Sequence, residues 1–113
     1  MPEPEPDATR RNPFTCSCST DGDEVVIWLG GELDIAARAA FVEAVDAVLP
    51  DGKAIVADLS GLNFIDSAGI SSILQCRNTA AAAGLPFHIR GAGGLVQMVF
   101  AVTGLDGFLA TSS

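Results

Sequence analysis

The clearest structural signals in the chain lie in residues 53–70, which read KAIVADLSGLNFIDSAGI. Residues 53–59 form a nearly continuous apolar run, as expected for a strand that is buried on both faces. Beyond Ile65, apolar residues return at helical spacing, which predicts a helix that begins near Ser67. The residues of this helical stripe are Ile70, Ile73, Leu74 and Ala81. The stretch therefore predicts a buried strand that leads through a loop into an amphipathic helix.

The predicted helix start has two functional interpretations. Asp66 has the chemistry of an N-cap, whose carboxylate accepts hydrogen bonds from the first free amides. Ser67 then lies in the first turn, among unpaired N–H groups and at the positive end of the helix dipole, where a phosphate would be bound favourably. Capping alone also explains Asp-Ser before a helix, and it is the more common role of this pair. The local residues leave both interpretations open.

Two motifs together resemble those of a known family. Residues 63–70, Asn-Phe-Ile-Asp-Ser-Ala-Gly-Ile, resemble the phosphorylation motif of bacterial anti-sigma factor antagonists, which are single STAS domains. The usual form of that motif is Phe-(Ile/Met)-Asp-Ser-(Ser/Ala)-Gly-(Leu/Ile). A second family element, Gly-Glu-Leu-Asp after a strand, is present at residues 31–34, and the gap between the two elements matches the family. The resemblance extends from about Phe14 to Leu109.

The resemblance implies a fold and a mechanism. The expected fold is α/β, a single domain with a mostly parallel mixed sheet, an N-terminal hairpin and packed helices. The unphosphorylated domain is expected to bind an anti-sigma factor of the ATP-dependent serine kinase type, which releases a sigma factor for transcription. The kinase would phosphorylate Ser67, and a phosphatase would reverse the modification. The residues implied in partner binding are Gly31, Glu32, Asp34, Asp66, Ser67, Ala68 and Gly69.

Such a domain would be a regulator of transcription in a stress response, not an enzyme. It would need no catalytic residue, cofactor or metal, and we expect it to be a monomer when free. Two other functions stay open. One is a non-switching STAS scaffold or sensor module in which Ser67 is never modified. The other is a small anion-binding or nucleotide-binding domain that uses the helix start near Ser67 as its site.

Composition narrows the class of protein. With 113 residues and 49% hydrophobic content, the chain has room for one domain with one core. Its formal net charge of −8 and the absence of a basic stripe argue against binding to nucleic acid or to anionic membranes. The apolar runs are too short and too interrupted to span a bilayer. The start, Met-Pro-Glu-Pro-Glu-Pro-Asp, is unlike a signal peptide, so we expect a cytoplasmic protein.

The order of elements predicts a ββαβαβαβ domain over residues 13–113, after a disordered, acidic and proline-rich tail over residues 1–12. The Asp21-Gly22 turn predicts a hairpin, and Asp34 is expected to cap the helix that follows it. The predicted strands are 14–19, 24–29, 53–59, 87–90 and 108–110, and a short helix is predicted over 95–102. The helix that begins near Ser67 should end at Gly84. The family's final amphipathic helix is expected to be absent, since the sequence stops at Ser113.

Other reactive residues have simpler interpretations. Cys16, Cys18 and Cys76 lack zinc-ligand spacing, and we interpret them as reduced packing residues. His88 is expected to be a half-exposed strand residue. Glu32 and Asp34 have no histidine beside them for acid–base chemistry, and the glycine run at 91–94 lacks the features of a phosphate loop. Helical phase places Ser72 opposite the apolar stripe and therefore in solvent, whereas the burial of Ser71 stays open.

Overall fold

The computed structural model describes residues 13–91 and residue 93, and within them four strands and two α-helices. A 3₁₀ turn, Leu49–Asp51, follows the first helix. The elements are strands β1 (Thr15–Asp21), β2 (Glu24–Leu33), β3 (Ala54–Ile65) and β4 (Phe87–Arg90), and helices α1 (Arg38–Val48) and α2 (Ser67–Ala82).

The strands form one mixed sheet in the order β1-β2-β3-β4. β1 is antiparallel to β2, and the β2–β3 and β3–β4 pairs are parallel, which confirms the predicted α/β fold with an N-terminal hairpin. Gly22 begins the two-residue hairpin loop with φ of 63°, a left-handed conformation that glycine adopts without steric cost. The predicted elements at 95–102 and 108–110, the absent final helix and the tail at 1–12 lie outside the described residues.

One hydrophobic core lies between the sheet and the two helices. Alternate residues of β2, β3 and β4 contribute to it, as the period of two along a strand requires. The helices supply their inner faces, on which Phe41, Val45 and Ile73 are almost completely buried. The side chain of Cys76 also belongs to this core, whereas Cys18 is exposed at the sheet edge.

A charged cluster links β3 to β4. Asp58 is buried, and its Oδ1 accepts hydrogen bonds from the Ser60 hydroxyl (2.6 Å) and the Ser60 backbone N–H (2.9 Å). Its Oδ2 accepts a hydrogen bond from Arg90 Nε at 2.9 Å, and the Arg90 guanidinium lies 5.4 Å from the centre of the Trp28 ring. Burial acts to raise the pKa of Asp58, but the hydrogen bonds from Ser60 and Arg90 outweigh it and lower the pKa below its usual value. The ionised carboxylate therefore stabilises the folded sheet.

The predicted ends of β2 and β3 are wrong. β3 continues through residues 60–65, which the sequence predicted as a loop, because β2 also continues to Leu33 and pairs with it beyond two irregularities in register. The glycines Gly30 and Gly61 face each other there, and a Cβ on Gly61 would lie 2.9 Å from the Leu29 carbonyl oxygen. The polar residues of this stretch are tolerated because much of it is exposed.

The predicted cap of the first helix is also wrong. α1 begins at Arg38 after Ala37, and its N-terminus has no side-chain cap. Asp34 instead closes a turn before the helix, since its Oδ1 accepts hydrogen bonds from the backbone N–H groups of Ala36 and Ala37, each at 3.1 Å. The turn therefore separates Asp34 from the helix that it was expected to cap.

The buried face of α2 differs from the predicted stripe. Ser72, expected in solvent, is fully buried and donates a hydrogen bond from its hydroxyl to the Gly69 carbonyl oxygen at 2.6 Å. Ser71 is exposed, as is Ala81, which the prediction placed on the buried side. The buried stripe consists of Gly69, Ser72, Ile73, Cys76 and Ala80. Four of these five residues are small, and at Gly69 the reason is the end of β2, because a Cβ there would collide with the Leu33 carbonyl oxygen.

Candidate functional site

The site is formed where β2 and β3 end side by side. Glu32 pairs with Phe64 and Leu33 with Ile65, so the carboxyl ends of these parallel strands reach the same edge of the sheet. One residue further on, the Asp66 backbone N–H donates to the Leu33 carbonyl oxygen at 3.3 Å. This register brings the segment at 31–34 next to the segment at 66–69, although they are more than thirty residues apart in the sequence.

The start of α2 is capped as the sequence predicted. Asp66 has extended backbone angles, and its Oδ1 accepts a hydrogen bond from the Gly69 N–H at 2.8 Å. Its carbonyl oxygen accepts the first helical bond, from the Ile70 N–H at 3.0 Å. Ser67 is therefore the first residue of the helix, and its side chain is exposed. The hydroxyl lies at the positive end of the helix dipole, in the turn whose N–H groups have no acceptor within the helix.

Gly69 gives the site its shape. It is buried, and a Cβ at this position would collide with the Leu33 carbonyl oxygen and lie 2.7 Å from Ile65 Cγ1. The Leu33 carbonyl oxygen is a backbone atom that no rotamer change can move, so only glycine allows the first turn of α2 to pack against the end of β2. Gly69 thus lets the first turn of α2, which carries Ser67, lie against the segment at 31–34.

Two large apolar side chains are exposed where β2 and β3 end. Ile35, in the turn after β2, is 76% exposed, and Phe64, at the end of β3, is 42% exposed. Exposed apolar side chains beside a polar site are typical of a protein–protein contact. Neither residue is among the seven that the resemblance implied in binding. Phe64 is part of the phosphorylation motif and could have been found there, whereas the exposure of Ile35 depends on the turn before α1.

All seven residues that the resemblance implied in binding lie in the two segments, 31–34 and 66–69, that the strand register places side by side. Gly31, with φ of 78°, lies at a register irregularity in β2, and Glu32 pairs beyond it. Of the seven, Ser67 is exposed, Gly69 is buried, and the remaining five are half-buried: Gly31, Glu32, Asp34, Asp66 and Ala68.

The thiols have little thiolate character at neutral pH. Burial raises the pKa of Cys16 to about 11, with a smaller contribution from Cys18. Burial also raises the pKa of Cys76 to about 12, with smaller contributions from Asp46 and Cys16, and it raises the pKa of Cys18. All three are free thiols. Over the described ranges, 13–91 and 93, no group of three or more His, Cys, Asp or Glu residues could hold a metal ion. His88 is half-buried on β4, as expected for a strand residue.

Within the part of the chain that the structure describes, no helix is both long enough and apolar enough to cross a membrane.

Comparisons with known proteins agree with the two motifs. Residues 16–111 match the family model described as "Mlab, STAS domain". Over 94 residues the chain is 32% identical to the anti-sigma-F factor antagonist RsfB of Mycobacterium tuberculosis, and the alignment covers 82% of this chain and 76% of that protein.

Two solved structures share the fold. An anti-sigma factor antagonist from Mycobacterium paratuberculosis superposes with a TM-score of 0.73 at 24% identity, covering 86% of this chain and 83% of that one. The Bacillus cell fate determinant SpoIIAA in its phosphorylated form superposes with a TM-score of 0.63 at 23% identity, covering 85% of this chain and 87% of that one. At these identities the structural similarity establishes the fold alone.

Proposed function

This chain belongs to the STAS-domain family, and from that premise we propose that it is an anti-sigma factor antagonist. The surface around Ser67 binds an anti-sigma factor that is an ATP-dependent serine kinase, and phosphorylation of Ser67 by that kinase ends the binding. A phosphatase restores the active form. The free chain is a monomer that acts in the cytoplasm, and its only chemical role is to accept the phosphate.

The observation that carries the proposal is the position of Ser67. Its hydroxyl is exposed at the first position of α2, at the end of β3 and beside the segment at 31–34. A kinase needs an accessible hydroxyl, and a protein partner needs a shaped surface around it. The RsfB relative supports the same function, since that protein is described as an anti-sigma-F factor antagonist. SpoIIAA, which shares the fold, has been solved in a phosphorylated form.

Electrostatics explain how the modification would act. A phosphate adds about −1.5 to −2 charges at pH 7. At Ser67 these charges would add to those of the carboxylates in the two adjoining segments, Glu32, Asp34 and Asp66, at an end of the sheet where Phe64 is also exposed. Such a dianion has to lose its water when a partner covers the site, and this desolvation opposes binding.

The fold itself should tolerate the phosphate. An anion in the first turn interacts favourably with the helix dipole, by about 0.3–1 kcal/mol. The modification would therefore switch the interface and leave the domain folded, which is the behaviour expected of a reversible regulator.

Phosphate incorporation tests the site. Each serine-kinase anti-sigma factor of the source organism is incubated with ATP and the full chain, and the products are analysed by mass spectrometry. We expect one phosphate per chain from the partner kinase, located on Ser67, and none on the Ser67→Ala variant. The Ser71→Ala variant is the matched control, since Ser71 is exposed one turn further along α2, and it should be modified like the wild type. Phosphate that persists in Ser67→Ala would refute the assignment, and no incorporation at all would favour a non-switching module.

Titration calorimetry with a charged variant tests the mechanism. Ser67→Asp should bind the same anti-sigma factor more weakly, by about tenfold or more, because a carboxylate enters the contact surface. Ser17→Asp is the control, since Ser17 is exposed on β1 opposite Trp28, roughly 17 Å along β2 from Leu33. If both variants bind like the wild type, charge at Ser67 does not control the interaction. Thermal stabilisation of the chain by nucleotide alone would instead favour the small-ligand function.

A further inference from the structure

A shallow groove runs along the outer side of the two helices, beyond the first turn of α2 that carries Ser67. It consists of two hollows of ≈ 300 Å³ and ≈ 600 Å³ that share Arg38 and Gln75. The smaller hollow is lined mainly by α1 and the turn before it, and the larger one mainly by α2. Ile35 and Val42 line the smaller hollow, and Ser71, Leu74 and Ala82 line the larger one.

The groove begins at the site around Ser67. Ser71 lies four residues after Ser67 and therefore about one turn further along α2. Ile35, which is 76% exposed, directly follows Asp34 in the turn after β2. Both segments of the site thus lead into the groove, which continues along α2 to Ala82. From Ser71 this is a length of roughly 16 Å, or about three helical turns.

The charge of the groove is opposite to that of the chain. Among the described residues that line the two hollows, Arg38 is the only charged one, whereas the chain has a formal net charge of −8. One Arg38 N–H₂ group donates to Gln75 Oε1 at 2.7 Å, which holds the guanidinium between the two helices. Arginine has five N–H donors in a planar arrangement, so donors remain for a carboxylate that approaches from solvent.

We propose that this groove is a second docking surface for the anti-sigma factor, and that it binds a segment of the partner that carries apolar side chains and a carboxylate. The apolar side chains lie against Ile35, Val42 and Leu74, and the carboxylate pairs with Arg38. The inference rests on the proposed function, since the same partner molecule must also cover Ser67. The groove adds a contact that phosphorylation of Ser67 does not change. The partner would then also be recognised by residues outside the phosphorylation motif.

Charge reversal tests the ion pair. Arg38→Glu should weaken binding of the unphosphorylated full chain to the anti-sigma factor by about tenfold or more in titration calorimetry. Arg38→Lys keeps the charge but loses the planar donor arrangement, and it should retain part of the affinity. Arg77→Glu is the matched control on α2, since Arg77 is exposed and is not among the residues that line either hollow. It should bind within about twofold of the wild type.

A pair of neighbouring substitutions tests whether the partner fills the larger hollow. Ala82→Trp places a large side chain at the far end of the larger hollow, and it should weaken binding at least several-fold. Ala81→Trp adds the same side chain one residue earlier, at an exposed position outside the hollows, and it should have little effect. Urea denaturation of each variant shows whether the domain remains folded at the temperature of the titration.

The outcomes separate the two proposals. If the anti-sigma factor binds the wild type and discriminates against Ser67→Asp, yet binds Arg38→Glu and Ala82→Trp like the wild type, the groove is not a docking surface and the function at Ser67 stands. If no anti-sigma factor binds the wild type, both proposals fail. If Arg38→Glu changes the self-association of the chain in sedimentation and leaves partner binding unchanged, the occupant is a second copy, which also overturns the proposal.

Discussion

Replacing Asp66 with alanine removes the carboxylate that closes the first turn of α2. In the wild-type chain its Oδ1 accepts the Gly69 N–H at 2.8 Å, and Gly69 is buried against the end of β2. Asp66→Ala therefore leaves a buried N–H without its acceptor, which costs about 1–3 kcal/mol. Loss of an N-cap costs about 0.5–2 kcal/mol in comparable substitutions. The two ranges overlap, and we expect the free energy of unfolding to fall by about 1–2 kcal/mol.

The variant Asp66→Asn separates the hydrogen bond from the charge. Asparagine keeps an oxygen acceptor at the same position and is an equally good N-cap. It should lose only the interaction of the carboxylate with the helix dipole, about 0.3–1 kcal/mol. Alanine should therefore be the more destabilising of the two substitutions.

Urea denaturation at pH 7, followed by circular dichroism, measures the free energy of unfolding of the Asp66→Ala and Asp66→Asn variants. Titration with the anti-sigma factor then shows whether Asp66 also contacts the partner. Affinity that falls in a variant still folded at the titration temperature assigns the residue to the interface. If Asp66→Ala unfolds at the same urea concentration as the wild type, Asp66 is not the cap. If asparagine and alanine are equally destabilising, the hydrogen bond to Gly69 is not the source of the stability.

Three further predictions concern the fold and the tail. Gly69→Ala should lower the free energy of unfolding by at least about 1 kcal/mol despite alanine's higher helix propensity, because its Cβ would collide with the Leu33 carbonyl; a melting temperature equal to or above that of the wild type would contradict this. The lowered pKa of Asp58 means that its stabilising contribution is complete above the ordinary value of about 3.9 and is lost as the pH falls through the folded-state pKa. The difference in unfolding free energy between wild type and Asp58→Asn should therefore narrow below about pH 4, and a difference that widens in acid would reverse the assigned sign. Deletion of residues 1–12 should leave the affinity for the anti-sigma factor within about twofold, since alternating proline and acidic residues build no packed element; a larger loss in calorimetry would make the tail a contact arm.

The elements around Ser67 could be predicted because their signals are local. An Asp-Gly turn, an apolar run and an Asp-Ser pair before a helical stripe each depend on neighbours within a few residues. The hairpin, the buried strand and the cap by Asp66 all follow from such signals and are present in the structure.

The features that depend on distant residues could not be predicted. Ser72 is buried because it lies three residues after Gly69, on the face of α2 whose first turn packs against the end of β2, and the sequence pattern near Ile70 and Leu74 contains nothing about that packing. β3 continues past Leu59 only because β2 offers a partner as far as Leu33. The groove beside Arg38 likewise exists only once two helices lie side by side, since each contributes one wall.

The central claim is that charge on Ser67 controls the interaction with the anti-sigma factor. Its most direct test is calorimetric titration of the kinase, without ATP, with the unphosphorylated chain and with chain fully phosphorylated on Ser67. Phosphorylation should weaken binding by about tenfold or more, while the melting temperature stays the same or rises slightly. Equal affinity of the two forms would contradict the claim, and so would a phosphorylated chain that loses affinity only because it has unfolded.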